Sequence, residues 1–391
     1  MLTRSDPSAP TVNQDLLNQV TDYLQQHVAP QASRIDRDPQ ALKAAFNGLG
    51  DRHLLALRVA QNYQGSGTDE LTYRAIQELM AHYSGALAFL QTQHQSAALL
   101  LQKSQNEALK QAYLPAMGTG ATGMGLGFSQ LRRSGAPLVQ AIATPEGYRL
   151  QGTVPWITGY GCFQSFIIGA SLPDGQAIFG LMPFGERQQS GGSLTFSPPL
   201  QLAAMASTQT VTATVSQWLL PPDQIVSIQP AGWIHHSDRQ NVLHLSFFNL
   251  GCARAGLDIL AAAADHAPSF VAQTLASLDQ ELTACRTAIY QAHARPEEGA
   301  PAEAIAQHLK LRAWAIDLAV RCAHAGVIVS SGAANYSDHP AQRVYREALA
   351  FTVFGQTTAA MEATLAQLVR VQRQEAGDPI DTIVREQPWN S

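Results

Sequence analysis

Helical periodicity fills both ends of this chain and is missing from its middle, where Gly147-Tyr-Arg-Leu-Gln-Gly-Thr-Val-Pro-Trp-Ile-Thr-Gly159 reads as a β-hairpin. Pro145-Glu146-Gly147 supplies turn residues, and Tyr148 to Gly152 alternates bulky and polar side chains as a half-buried strand does. A second strand is expected through Trp156 and Thr158. A hairpin set between two long helical regions restricts the chain to an α+β, multi-domain architecture in which a small β unit is inserted between helical parts.

The flanks bear this out residue by residue. Leu16, Leu17, Val20, Leu24 and Val28 fall at helical spacing, as do Leu79, Tyr83, Leu87 and Leu90, with Gly-containing breaks at Asn47-Gly-Leu-Gly50 and Gln64-Gly-Ser-Gly67. From Gly118 to about Ile228 the texture turns to Gly, Pro, Thr and alternating strands, including 165–170, 177–182 and 210–218, as in a small β-barrel or sandwich. Helices return after Trp233. Asn241 to Ala264 is apolar nearly all round, and its small residues Gly251, Ala253, Ala255 and Gly256 suit a central helix packed on several neighbours. Further helices are expected over 273–294, 303–331 and 344–371, with an acidic loop at Pro296 to Pro301 and a less regular tail from Gln372. The expected division is an N-terminal helical domain over 1–118, a β domain over 119–228 and a C-terminal helical domain over 229–391.

With 46% hydrophobic residues in 391, the chain has enough apolar material for one large core or several smaller ones. Neither a run of about 18–20 apolar residues nor an apolar N-terminal core is found, so no membrane span or export signal is expected and the cytoplasm is the default location. A net charge of −5 argues against nucleic acid or an anionic membrane as partner. Cys162, Cys252, Cys285 and Cys322 are scattered without metal-ligand spacing, and His235-His236 lacks the helical spacing of a ligand pair and reads as a loop. No metal site is expected.

The glycine-aromatic-x-leucine-x-glycine turn and Trp-Ile-Thr strand of residues 147–158 resemble the flavin-facing hairpin of the acyl-CoA dehydrogenase superfamily. Two further segments are similar to that family: His339-Pro-Ala-Gln-Arg-Val-Tyr-Arg-Glu-Ala348 matches its Pro-x-x-Arg-x-x-Arg-Asp-Ala segment, with Glu347 in place of the Asp, and Leu250 to Asp258 resembles its first C-terminal helix. The resemblance implies a C-terminal four-helix bundle, FAD held between the β domain and the helices, an acyl-CoA or related small-molecule substrate, and a homodimer or homotetramer. It also implies that Trp156 packs beside the isoalloxazine ring and that Thr158 hydrogen-bonds its reactive edge.

Several positions depart from the family pattern. The usual catalytic Glu of a Tyr-Glu-Gly-Thr motif is replaced by Gly355 in Phe354-Gly-Gln-Thr-Thr358, and the alternative position on the first C-terminal helix is also empty, since Asn241 to Phe248 holds no carboxylate and His244 stands near that register. A positioned general base contributes about 10²–10⁴-fold, so the chemistry needs another group. The nearest carboxylates are read as structural: Glu347 in an ion pair and Glu362 on a solvated face. Arg343 and Arg346 are expected in salt bridges. The flavin-holding Thr-Glu-Pro-x-x-Gly-Ser-Asp loop is replaced by Phe128 to Gly135, in which Ser129 and Ser134 retain hydroxyls for a cofactor. The family's arginine element is not found between Asp265 and Thr274, where His266, Pro268 and Phe270 stand, and Ser330 to Tyr336 replaces its glycine-rich run. Thr357 and Thr358 are candidates for cofactor contact, with helix capping as the alternative. His94 is a candidate for proton transfer, while its polar neighbours Gln93 and Gln95 favour a surface or capping histidine.

The resulting expectation is an FAD-dependent oxidoreductase acting on the CH–CH group of an acyl thioester. Two other readings stay open: a flavin-dependent monooxygenase of the same fold that takes reduced FMN or FAD as co-substrate with O2, and a non-catalytic binding protein.

Overall fold

The computed structural model describes residues 12–264, 267–294 and 302–374. The N-terminal part comprises α1 (Gln14–Tyr23), α2 (Ala32–Ile35), α3 (Pro39–Gly50), α4 (Glu70–Tyr83), α5 (Gly85–Gln102) and α6 (Glu107–Met117). Local chemistry starts these helices. Asn13, Asp38, Asp69, Ser84 and Asn106 each accept a hydrogen bond from a first-turn backbone N–H, which satisfies donors that the helix itself leaves unpaired. Ser84 both ends α4 and caps α5, so the two helices turn sharply about a single residue.

Among the described residues nine strands form one sheet: β1 (Met124–Gly127), β2 (Val139–Thr144), β3 (Gly147–Ile157), β4 (Ser165–Ser171), β5 (Ala177–Pro183), β6 (Arg187–Gln189), β7 (Gly192–Phe196), β8 (Val211–Leu220) and β9 (Ile225–Gln229). The order is β6-β7-β8-β3-β2-β4-β5-β9, with β1 added parallel to β4. The sequence placed a hairpin within 147–159. Instead, Gly147 to Ile157 is a single strand, and the hairpin is β2–β3, turning at Pro145-Glu146 with Thr144 opposite Gly147. The misreading has a physical cause. Gly152 adopts φ +135°, where its missing side chain lets the Leu138 carbonyl approach, and the register against β8 shifts between Leu150 and Gly152 and again before Ile157. The break in alternation is a bend in one strand, not a turn between two.

The C-terminal part comprises α7 (Trp233–Gln240), α8 (Ser246–Ala264), α9 (Ser269–His293), α10 (Ala302–Ser330), α11 (Pro340–Val353) and α12 (Thr358–Gln374). Helix α8 runs through its centre. Gly251 lies against the Glu78 carbonyl of α4 and Gly256 against the backbone of Cys322 on α10, so a side chain at either position would collide with main chain. His235 and His236 are exposed on α7, not in a loop. The helix expected over 344–371 is broken: α11 stops at Val353 and α12 starts at Thr358, because Gly355 takes φ +52°, a left-handed conformation that ends a helix. The acidic loop at 296–301, His266 and the tail from 375 lie outside the described residues.

Candidate functional site

The loop between α11 and α12 carries Gly355, and a buried arginine holds it in place. Arg312 Nη2 on α10 donates to the carbonyls of Phe354 (2.7 Å) and Gly355 (3.2 Å). Burial brings the Arg312 guanidinium down to about 10, which leaves it cationic at neutral pH, and its Nε has no partner among the described residues. Phe354 packs on Phe89 of α5 with ring centroids 4.4 Å apart. A Cβ built on Gly355 would lie 2.5 Å from Leu245 Cδ1, so the space a side chain would take is filled by the turn before α8. Thr357 Oγ1 accepts from Ala360 N at 3.1 Å and thereby caps α12, while Thr358 is exposed. Gln356 Oε1 is buried without a partner among the described residues.

The β unit reaches the same place through charge. After β1, residues Ser129–Arg132 form one tight helical turn that Gln130 pins by donating from Nε2 to Gly127 O (3.1 Å) and Gly169 O (2.8 Å). Arg132 makes a forked pair with Asp238 of α7, at 2.9 Å from Nε and 2.8 Å from Nη2. Asp238 also stabilises the Arg312 charge. Arg132 opposes that charge, so the Ser129 turn and the Gly355 loop share an electrostatic environment. Sequence reading missed both Arg312 and Asp238. Arg312 shares a helix face with the buried Ala315, Ile316, Ala319 and Ala323, and a charged residue on an apolar face was the available signal.

Of the residues proposed for cofactor contact, Ser129 has a buried Oγ with no partner among the described residues. Trp156 leaves 48% of its surface exposed, unusual for an indole. Their strands are neighbours, since a Cβ built on Gly127 of β1 would lie 3.1 Å from Val154 and Ile157 of β3. Thr158 is buried and its Oγ1 is 3.0 Å from Thr210 Oγ1. Ser134 is exposed.

His94 is neither a surface nor a capping residue. It is fully buried, its Nε2 is 2.9 Å from Met117 O, and its Nδ1 accepts from Met124 N at 3.2 Å, which fixes the tautomer with the proton on Nε2. Burial pushes this imidazole down to about 4. Gln93 and Gln95 misled because a buried histidine with both nitrogens satisfied needs no polar surroundings of its own, and Gln95 is itself buried. Glu347 is fully buried, paired with Arg343 at 2.8 Å and accepting from Gly85 N at 3.1 Å, while Arg346 pairs with Asp36 at 2.8 Å. Glu362 is exposed. One group had no sequence signal: Glu70, His244 and His293 bring three ligand-type atoms within 4.8 Å of one another.

Comparison with known proteins agrees with this architecture. The family models for the acyl-CoA dehydrogenase N-terminal and C-terminal domains match residues 11–121 and 243–369. A 3-(aryl)acrylate reductase of Clostridium sporogenes is 20% identical over 365 residues, 88% of this chain and 95% of that protein. Butyryl-CoA dehydrogenase of Megasphaera elsdenii has the same fold, with a TM-score of 0.75 at 18% identity over 93% of this chain and all of the other. A glutaryl-CoA dehydrogenase of Mycobacterium smegmatis, solved in complex with FADH2, has a TM-score of 0.77 at 15% identity over 93% and 95% of the two chains. With both terminal domains matched and the β unit between them, the chain belongs to the acyl-CoA dehydrogenase superfamily.

Proposed function

We propose that the protein is an FAD-dependent oxidoreductase acting on the CH–CH group of an acyl thioester. The carrying observation is the buried Arg312 that holds the Gly355 loop, in whose field Asp238, the partner of Arg132 at the end of the Ser129 turn, is the favourable charge. The residues at this junction fit a flavin. An orphaned Ser129 hydroxyl offers a hydrogen bond, the uncovered Trp156 indole offers a flat apolar wall, and the buried Arg312 offers positive charge beside a cofactor that gains negative charge on reduction. Ser134, Thr158, Thr357 and Thr358 belong to the same proposed cofactor set, with Thr158 and Thr357 acting through the positions their present bonds fix. FAD supplies the two-electron acceptor.

The chain's own part is to orient the thioester and to handle one proton. Gly355 carries no acid, and His94 has no free nitrogen, so neither residue moves that proton. The named relatives act on acyl-CoAs or arylacrylates, which fits an acyl substrate for this chain as well. We further propose domain limits of 1–118, 119–228 and 229–391. A homo-oligomer is supported by the exposed apolar row Leu349, Val353, Met361, Leu365 and Leu368 along α11 and α12. Cytoplasmic residence is supported by four unpaired cysteines.

The test is anaerobic mixing of the FAD-loaded protein with a panel of acyl-CoAs, including arylacrylyl and saturated aliphatic members. Bleaching of the oxidised form by a saturated thioester, or reoxidation of the reduced form by an unsaturated one, is expected. Oxygen uptake with an oxygenated product, and no thioester response, would replace this reading with a monooxygenase.

A further inference from the structure

Beside the Gly355 loop lies a polar group that the proposed reaction does not use. Glu70 at the start of α4 pairs through Oε1 with Arg74 (2.7 Å) and through Oε2 with Arg58. His244 Nε2 and His293 Nε2 both face that same Oε1, at 3.6 and 3.8 Å. These separations are too long for hydrogen bonds. His293 Nε2 is buried and has no partner among the described residues. Arg74 is 5% exposed, an arginine enclosed at a helix interior.

Two connections tie this group to the loop. His244 is adjacent to Leu245, whose Cδ1 fills the space over Gly355. On the other side, Arg74 Nη1 donates to Gln77 Oε1 (2.7 Å), Gln77 Nε2 donates to Thr92 Oγ1 (2.9 Å), and Thr92 is one turn along α5 from Phe89, which packs at a tilt on Phe354. Leu245 and Phe89 thus separate the loop from Arg58, Arg74, His244 and His293 by a single layer of side chains.

Charge decides what this group can hold. Burial first, and then Arg74, hold both imidazoles down, His293 to about 4, so they are neutral near pH 7. Two guanidiniums against one carboxylate leave the group net positive by one. A divalent cation, although the three ligand atoms are suitably spaced, would add two charges to that excess; a monoanion cancels it.

We propose that Arg58, Arg74, His244 and His293 form a subsite for a carboxylate at the far end of the acyl group, so that the substrate is the thioester of a dicarboxylic acid. This deepens, and rests on, the reading of the chain as an acyl-thioester oxidoreductase. The unpartnered His293 nitrogen supplies a donor, and the partly buried Arg58 supplies the charge.

The test is calorimetric binding to the FAD-loaded protein of three thioesters: glutaryl-CoA, its terminal amide, and pentanoyl-CoA. The carboxylate is expected to bind about tenfold or more tightly than the pentanoyl group, with the amide between them. His293→Phe and, independently, Arg58→Met should bring that ratio to about one. Equal binding of all three by the unaltered protein overturns the subsite while leaving the thioester reading intact, whereas failure of all three to bind removes the reading and the subsite with it. A visible cobalt spectrum that His293→Phe abolishes would assign the group to a metal and likewise overturn the proposal.

Discussion

Installing a carboxylate at residue 355 is the most demanding perturbation of this site. Gly355→Glu places a non-glycine residue at φ +52°, which costs about 1–2 kcal/mol. Its Cβ would also fall 2.5 Å from Leu245 Cδ1, the free end of a flexible side chain that can rotate away at an overpacking cost of about 1–3 kcal/mol. The sum, about 2–5 kcal/mol, lies below the stability of most domains, and Leu245→Ala in the same chain removes the second part. Gly355→Gln carries the same strain without a base. In anaerobic stopped-flow mixing with an acyl-CoA, flavin bleaching should therefore be about 10²–10⁴-fold faster for the Glu variant than for the Gln variant, equivalent to about 3–5 kcal/mol of barrier. Equal rates for the two, in folded protein with flavin bound and with or without Leu245→Ala, would refute the placement of this loop beside the reacting carbon.

Three other outcomes are expected. Glu347→Ala strips the partner from the buried Arg343 and should cost about 3–5 kcal/mol in urea denaturation, whereas Arg343→Met with Glu347→Leu should recover most of it; a loss under about 1 kcal/mol would show that the pair is not desolvated. Because His94 is held at about 4 in the folded chain against about 6.5 unfolded, the unfolded state takes up the proton first as pH falls. Stability should thus be full above about pH 6.5 and fall by up to roughly 3 kcal/mol toward pH 4, and His94→Gln should flatten that acid slope; an unaltered slope would remove His94 as its source. Arg312→Met should free the Phe354 and Gly355 carbonyls and raise amide exchange across 354–357 before any loss of global stability, with unchanged exchange as the contrary result.

The division into helices, sheet and helices was legible because both periodicities are local. The bend at Gly152 was not, since alternation cannot tell a bulged strand from a hairpin, and only the approach of the Leu138 carbonyl explains the glycine. The break at Gly355 was legible only as a motif departure, because the helical pattern on either side of it continues. Among site residues, the Glu347–Arg343 pair could be read from its four-residue spacing, and the exposure of Glu362 from its helix face. Asp238 influences Arg312 only through space, from a helix 74 positions earlier, and Glu70 lies 174 positions from His244. No window of sequence contains that relation. His94 was misplaced for the converse reason: its partners are backbone groups of Met117 and Met124, which side-chain patterns do not record.

The proposed flavin lies between the β unit that carries Ser129 and Trp156 and the Arg312-anchored loop. Reconstitution of the purified chain with FAD, followed by gel filtration and a visible spectrum, tests this directly. About one bound flavin per chain is expected, with Trp156→Ala reducing occupancy while leaving the urea midpoint of the flavin-free protein within about 0.5 kcal/mol of the parent, as befits a half-exposed side chain. A colourless chain that takes up no FAD, or full occupancy in the Trp156→Ala variant, would contradict it.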